Sequence, residues 1–243
     1  MHDVLALMRR HRTVRAFLDT ALDDADVRAA VEAAQCAATS SWTQGYCLLQ
    51  VTERAAREQL AELCGGQPQV AAAGGFFVVG ADTRRHRLIA ARAGAPYEHN
   101  LEVFLLAVID ACLFAQNLNL AFEAQGHSTC YIGGLRNRLP EASALLEVPF
   151  GVFPLFGLCV GEAADDPGTR PRLPIEAVWM KDRYASDAEV LASVELHDDE
   201  AARYYAQRGA PGRTWSGGTW RKFKAPLREH LATYYTSQGA RLE

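Results

Sequence analysis

Apolar residues recur along this chain with two periods, and the switches between them mark out its elements. Val27, Ala30, Val31 and Ala34 share one face of a helix that Asp23 or Asp24 caps and that runs to about Cys36. A short helix-like opening, Asp3 to Arg10, precedes it. After Gly45 the apolar run Tyr46 to Val51 predicts a strand, and Arg54 to Cys64 predicts a helix stopped by Gly65-Gly66. Phe76 to Val79 is apolar at every position, as a strand buried on both faces requires. The longest helix runs from Asn100 to Gln125 and ends at Gly126. Its apolar residues, among them Leu101, Phe104, Leu105, Ile109 and Leu118, spread over more than one face, which predicts burial on several sides, in a core or at a subunit interface. Ser128 to Ile132 is a third strand, running into Gly133-Gly134, and Val152 to Val160 is a fourth, ending at Gly161. Glu162 to Pro174 is loop. From about Asp187 the tail is helical in two pieces, one ending at Gly209 and one from about Thr219 to Gly239, kinked at Pro226. Four strands interleaved with helices, without an internal repeat or linker, predict an α/β sandwich in a single domain, residues 1–243, with a helical C-terminal excursion over about 187–243.

Composition narrows the function classes. The net charge of −4 and the pI near 6.0 argue against bulk nucleic-acid binding, so any anion site is local. The N-terminus lacks the apolar core of a signal peptide, and the longest apolar run, Val103 to Ile109, is cut by Asp110 well short of a membrane span. The six cysteines (Cys36, Cys47, Cys64, Cys112, Cys130 and Cys159) show no C-x-x-C spacing, sit mostly inside apolar patterns and are expected to be reduced core residues of a cytoplasmic protein. His127 and Cys130 have a ligand-like spacing, but one pair does not make a metal site.

Several familiar sites are absent from the sequence. No G-x-G-x-x-G follows a strand and there is no Walker A lysine. Gly126-His127-Ser128-Thr129-Cys130 nearly spells a nucleophile elbow, but it lies between a helix and a strand, and that motif needs strand then helix. The positive signals are loops. His11-Arg12-Thr13-Val14-Arg15 packs two guanidiniums, an imidazole and a hydroxyl together, either as a solvated turn or as a set of donors matched to phosphate. Thr39-Ser40-Ser41, with Gln44 close behind, is either a polar helix-end turn or a cluster of hydroxyl donors. Gly65-Gly66-Gln67 by itself reads as a helix C-cap. Tyr131-Ile132-Gly133-Gly134-Leu135-Arg136 ends a strand in paired glycines that let backbone N–H groups approach a ligand closely. Arg170-Pro171-Arg172-Leu173-Pro174 holds two arginines between stiffening prolines, which lowers the entropy lost when they grip an anion.

In order and spacing these loops resemble the flavin-binding elements of the bacterial nitroreductase superfamily, and most closely its NADPH-dependent branch of nitroreductases and flavin oxidoreductases. The resemblance covers nearly the whole chain. It extends to Pro154-Leu-Phe-Gly-Leu-Cys-Val-Gly161, Tyr204-Tyr205 with Arg208-Gly209, and Thr214-Trp215-Ser216. It implies an α+β fold with a mostly antiparallel sheet flanked by helices, in an intertwined homodimer with FMN at the interface. It further implies that Arg12, Thr13, Arg170 and Arg172 hold the FMN phosphate, with His11, Ser40 and Ser41 near the phosphate and ribityl chain. Arg15 and Gln67 would face the polar edge of the flavin ring, and Tyr131, Ile132, Gly133 and Gly134 its N5 edge. Ser40, Ser41 and Gln67 would come from the opposite subunit. Thr13 and Arg170 stand where the family commonly has Ser and Lys, which keeps hydroxyl and charge. The 210–213 loop is short and offers only Arg213 beside Arg208 for the NADPH 2′-phosphate.

The activity so implied is ping-pong transfer of hydride from NADPH, through flavin, to a small-molecule acceptor such as a nitroaromatic or a quinone, with no catalytic side chain and no metal. Two other readings remain open: a flavin reductase that supplies free reduced FMN to a monooxygenase, and a non-enzymatic flavin-binding module. Neither nucleic acid nor membrane is an expected partner.

Overall fold

The computed structural model describes residues 4–242, and the backbone divides into two compact units. One is formed by the chain up to Pro167 and from Arg228 onward, the other by Gly168–Leu227.

The first unit is built on four strands, β1 (Tyr46–Val51), β2 (Gly75–Asp82), β3 (Ser128–Ile132) and β4 (Val152–Gly161). They pair in the order β1-β2-β4-β3, every pair antiparallel, as the resemblance implies. β2 is buried along its whole length, which explains its unbroken apolar run and carries it past the expected end at Val79. Gly157 of β4 is required by packing: a Cβ there would stand 2.5 Å from the Phe76 ring.

The helices of this unit are α1 (Val4–Arg9), α2 (Asp24–Ala34), α3 (Arg54–Leu63), α4 (Gln69–Ala72), α5 (Arg84–Ala93), α6 (Leu101–Ala124), α7 (Leu139–Leu145) and, after the second unit, α10 (His230–Ser237). Asp3, the expected start of the first helix, lies outside the described residues. Asp23 is the N-cap of α2, its carboxylate accepting from the Ala25 N–H at 2.8 Å. α6 packs against α2, β2 and β1. Asp110 interrupts the unbroken apolar run but not the helix, which reaches Ala124 as expected, and by length and composition alone it could cross a bilayer. Its polar residues identify it as a core helix instead. Asp110 and Asn119 are fully buried and accept hydrogen bonds from the rest of the unit.

The second unit carries α8 (Asp187–Gln207), opened by a capping box between Ser186 and Glu189, and α9 (Trp215–Phe223). The tail thus forms three helices and not two. Pro226 separates α9 from α10, where a kinked continuous helix was expected, because the segment around it lacks helical hydrogen bonds and a proline cannot supply one.

Candidate functional site

One predicted loop flanks β3, and two others adjoin each other at the turn that follows it. Thr13 forms a parallel bridge with Thr129, and the Val14 N–H donates to the Thr129 carbonyl at 3.1 Å. This fixes His11 to Arg15 alongside the strand, with Val14 fully buried and Arg15 exposed near the Cys130 thiol. At the other end of β3, Gly133 and Gly134 open a 3-10 turn, Gly133–Arg138, against the loop that follows α3. There Gly65 and Gly66 take φ of 91° and 71°, and the Gly66 and Gln67 N–H groups both donate to the Ala61 carbonyl. The Gln67 amide donates to the Cys64 carbonyl at 2.8 Å and accepts from Gln69 at 3.0 Å. Gly134 sits so close that a Cβ would fall 2.1 Å from Gln67 Nε2 and 2.3 Å from the Cys64 oxygen. A Cβ on Gly133 would meet only Arg136 Nη2, at 3.5 Å. Gln67 and Gly134 therefore adjoin within one chain.

Other groups brace this region. The Asn137 amide donates to the same Cys64 carbonyl at 3.2 Å, and Arg228 Nε donates to Asn137 Oδ1 at 2.9 Å. Tyr131 donates its hydroxyl to the Ala115 carbonyl at 2.7 Å and turns a ring edge to Phe156; burial raises its pKa. Burial likewise pushes the Cys64 thiol up to about 11, so this sulfur is a packing group and not a nucleophile.

Two members of the opening cluster have acidic partners that sequence reasoning did not identify. His11 Nδ1 lies 2.6 Å from Glu123 Oε1 on α6, and Arg12 Nε lies 2.8 Å from Asp166 Oδ1. Both partners are more than a hundred residues away in sequence, and nothing local marks them. The Thr39–Gln44 loop is anchored separately. Ser40–Trp42 is a 3-10 turn whose Ser40 N–H donates to Asp110 Oδ1 of α6 at 2.8 Å.

In the second unit, Arg170 and Arg172 line a cavity of about 300 Å³ with His197, Tyr204, Tyr205 and Trp215. His197 is 4% exposed, packs edge-on against Trp215, and its Nδ1 is buried without a hydrogen-bond partner. The sequence offered no sign of this residue. Two guanidiniums at a cavity walled by aromatic rings suit an anionic, planar ligand. Arg208 stacks over Tyr204 and Arg213 over Tyr205, at 5.3 and 4.9 Å. Among the described residues no group of three or more His, Cys, Asp and Glu side chains could hold a metal ion.

The Nitroreductase family model matches residues 8–162, and the model of that family's C-terminal domain matches residues 170–243. The chain is 35% identical over 245 residues to "FMN reductase (NADPH)" from Bacillus subtilis, covering 98% of each chain. It is 38% identical over 242 residues to "Oxygen-insensitive NADPH nitroreductase" from Salmonella typhimurium, again covering 98% of each. The solved structure of the NfrA1 nitroreductase from B. subtilis superposes with a TM-score of 0.95 at 35% identity, over 98% of this chain and 99% of that one. The chain belongs to the nitroreductase family.

Proposed function

We propose that this protein is an FMN-dependent enzyme that oxidises NADPH and reduces small-molecule acceptors, nitroaromatics and quinones among them, in two half-reactions at one site. The observation that carries the reading is that three predicted flavin segments are tied to one strand and its turn: His11–Arg15 is bridged to β3, and Gly133–Gly134, directly after it, adjoins Gly65–Gln67. The name of the B. subtilis relative gives both FMN and NADPH, and that of the S. typhimurium relative gives NADPH, in support of the same pair of cofactors.

Bound FMN would supply the hydride chemistry, and the chain supplies placement and charge. Arg170 and Arg172 grip the phosphate, a role Arg12 and Thr13 share, with His11, Ser40 and Ser41 along the phosphate and ribityl chain. Arg15 places a positive charge at the polar edge of the ring. Gln67 and Gly134 form one wall because they adjoin in one chain, with Tyr131, Ile132 and Gly133 continuing it. Arg208 and Arg213 serve the NADPH 2′-phosphate. In this reading the whole chain, 1–243, acts as one flavin-dependent domain in the cytoplasm, where its six free cysteines stay reduced.

The test is spectroscopic. Purified protein reconstituted with FMN is expected to be yellow and to bleach on anaerobic NADPH, faster than on NADH. A protein that takes up no FMN overturns the reading, and one that stays yellow under NADPH is a binding module only. The name of the B. subtilis relative favours a second reading, release of reduced FMN to another enzyme. Rapid exchange of bound for free FMN during turnover would support it.

The reading also includes a homodimer. Leu101, Leu105, Ile109 and Leu113 form an exposed apolar stripe along α6, each 39–48% accessible in the single chain. Leu105→Glu should cost little in a monomer but, across a two-fold interface, bury a lone charge twice. Sedimentation should show a dimer for the wild type and a folded monomer for the variant. An unchanged dimer would remove α6 from the interface.

A further inference from the structure

The loop Ser40–Gln44 is held in a shape its residues do not favour. Ser41, Trp42 and Gln44 have φ of 47°, 58° and 52°, three non-glycine residues in the left-handed region within four positions. Trp42 is also 82% exposed, so no packing of its indole accounts for the strain. The strain must be balanced from beneath.

What lies beneath is Asp110, an acidic side chain in the middle of α6 with no exposed surface. Its Oδ1 accepts the Ser40 N–H at 2.8 Å and its Oδ2 the Gly45 N–H at 3.0 Å, so one carboxylate clasps both ends of the loop. The Thr43 hydroxyl adds a longer contact to Oδ2 at 3.4 Å while donating to the Ser40 carbonyl at 2.8 Å. Gly45 permits the close approach: a Cβ there would stand 3.0 Å from Ala107 Cα. A second fastening comes from α5, where His86 Nε2 lies 2.7 Å from the Thr43 carbonyl. A buried carboxylate is costly unless its lone pairs are filled, and here they are filled by the backbone of one strained loop. That loop carries Ser40 and Ser41.

We propose that Asp110 is a positioning residue, a buried latch that holds Ser40–Gln44 in the conformation that presents Ser40 and Ser41 to the cofactor. It rests on the reading that these serines reach FMN. Asp110 touches no cofactor itself and acts through the two amides it accepts from. Asparagine at this position keeps the shape but turns one acceptor into a donor facing an N–H, so it can clasp only one end.

The experiment measures loop order and cofactor affinity separately. Hydrogen exchange of cofactor-free Asp110→Asn is expected to quicken about tenfold or more over residues 40–45, with β2 and the rest of α6 unchanged. FMN affinity, by fluorescence titration, should fall about tenfold, with the melting temperature little moved. Thr43→Val, at an exposed position, should shift both readouts the same way by less and guards against misfolding of the first variant. Exchange that rises throughout the unit together with a lower melting temperature would mean a merely structural carboxylate and overturn the proposal. So would an Asp110→Asn protein with wild-type exchange over 40–45 and wild-type FMN affinity. If the wild type takes up no FMN, the functional reading itself has failed; a wild type that binds FMN no better than Asp110→Asn overturns the latch alone.

Discussion

Replacing Arg170 and Arg172 together with alanine is expected to weaken FMN binding roughly a hundred- to ten-thousand-fold. Each charge-assisted contact to a phosphate contributes about 1.5–3 kcal/mol, and the double variant removes at least two of them. Both side chains are exposed, and Pro171 and Pro174 hold the backbone of the segment regardless, so the fold should not suffer. Equilibrium dialysis against FMN with a parallel thermal melt reads the two effects independently. Arg172→Lys gives an intermediate case: it keeps the charge and loses the planar fork, and should fall between wild type and alanine. A double alanine variant that stays yellow through extensive dialysis would remove this segment from the cofactor site. The cavity walled by His197, Tyr204, Tyr205 and Trp215 would then need another anionic occupant.

Gly134→Ala should produce the largest stability loss of any conservative change within the predicted flavin segments. The added methyl would meet the Cys64 oxygen at 2.3 Å and the Gln67 amide at 2.1 Å. The side chain could swing away; the carbonyl cannot. It belongs to a residue 1% exposed, it terminates α3, and it accepts from both Gln67 and Asn137. The two loops must part, and with them go buried hydrogen bonds, at a combined cost of about 3 kcal/mol. For a chain of this size that lowers the melting temperature by about 6–12 °C. FMN affinity should drop as well, because the wall formed by Gln67 and Gly134 would open. Gly133→Ala is the internal control. Its methyl would find only an arginine tip at 3.5 Å, and its melting temperature should stay within about a degree or two of wild type. Equal melting temperatures for the two variants would show that the 64–67 loop yields freely.

Some of this architecture follows from local chemistry. β1 and β3 are found at their expected residues because a run of apolar, β-favouring side chains bounded by glycine or a polar turn has few alternatives. The N-cap of α2 is a matter of one carboxylate and the next amides. α5 was not foreseen: Arg84, Arg85, His86 and Arg87 open it, no residue of it is buried, and it has no apolar stripe to detect. α7, with Leu139-Pro140 at its start, was also not foreseen, and it is stabilised by Leu139 and Ala142 reaching the core.

The candidate site divides along the same line. Its candidate donors, His11 to Arg15, Ser40-Ser41, Gly133-Gly134, Arg170 and Arg172, stand out as local clusters, and the family resemblance is what assigns them to a cofactor. Their supports were not. Glu123 beneath His11, Asp166 against Arg12, and Asp110 under the Ser40 loop carry no local mark of their partners, and Asp110 even looked like the end of an apolar run. A carboxylate takes its meaning from the donors around it. Those donors lie 65 to 112 residues away for Asp110 and His11's partner, brought in only by the packing of α6 against the sheet and its neighbouring loops. Residue type and local spacing thus marked which side chains are candidates to bind; the tertiary structure decided which acids lie against them, because electrostatic and hydrogen-bond partnership depends on distance in space and not on order along the chain.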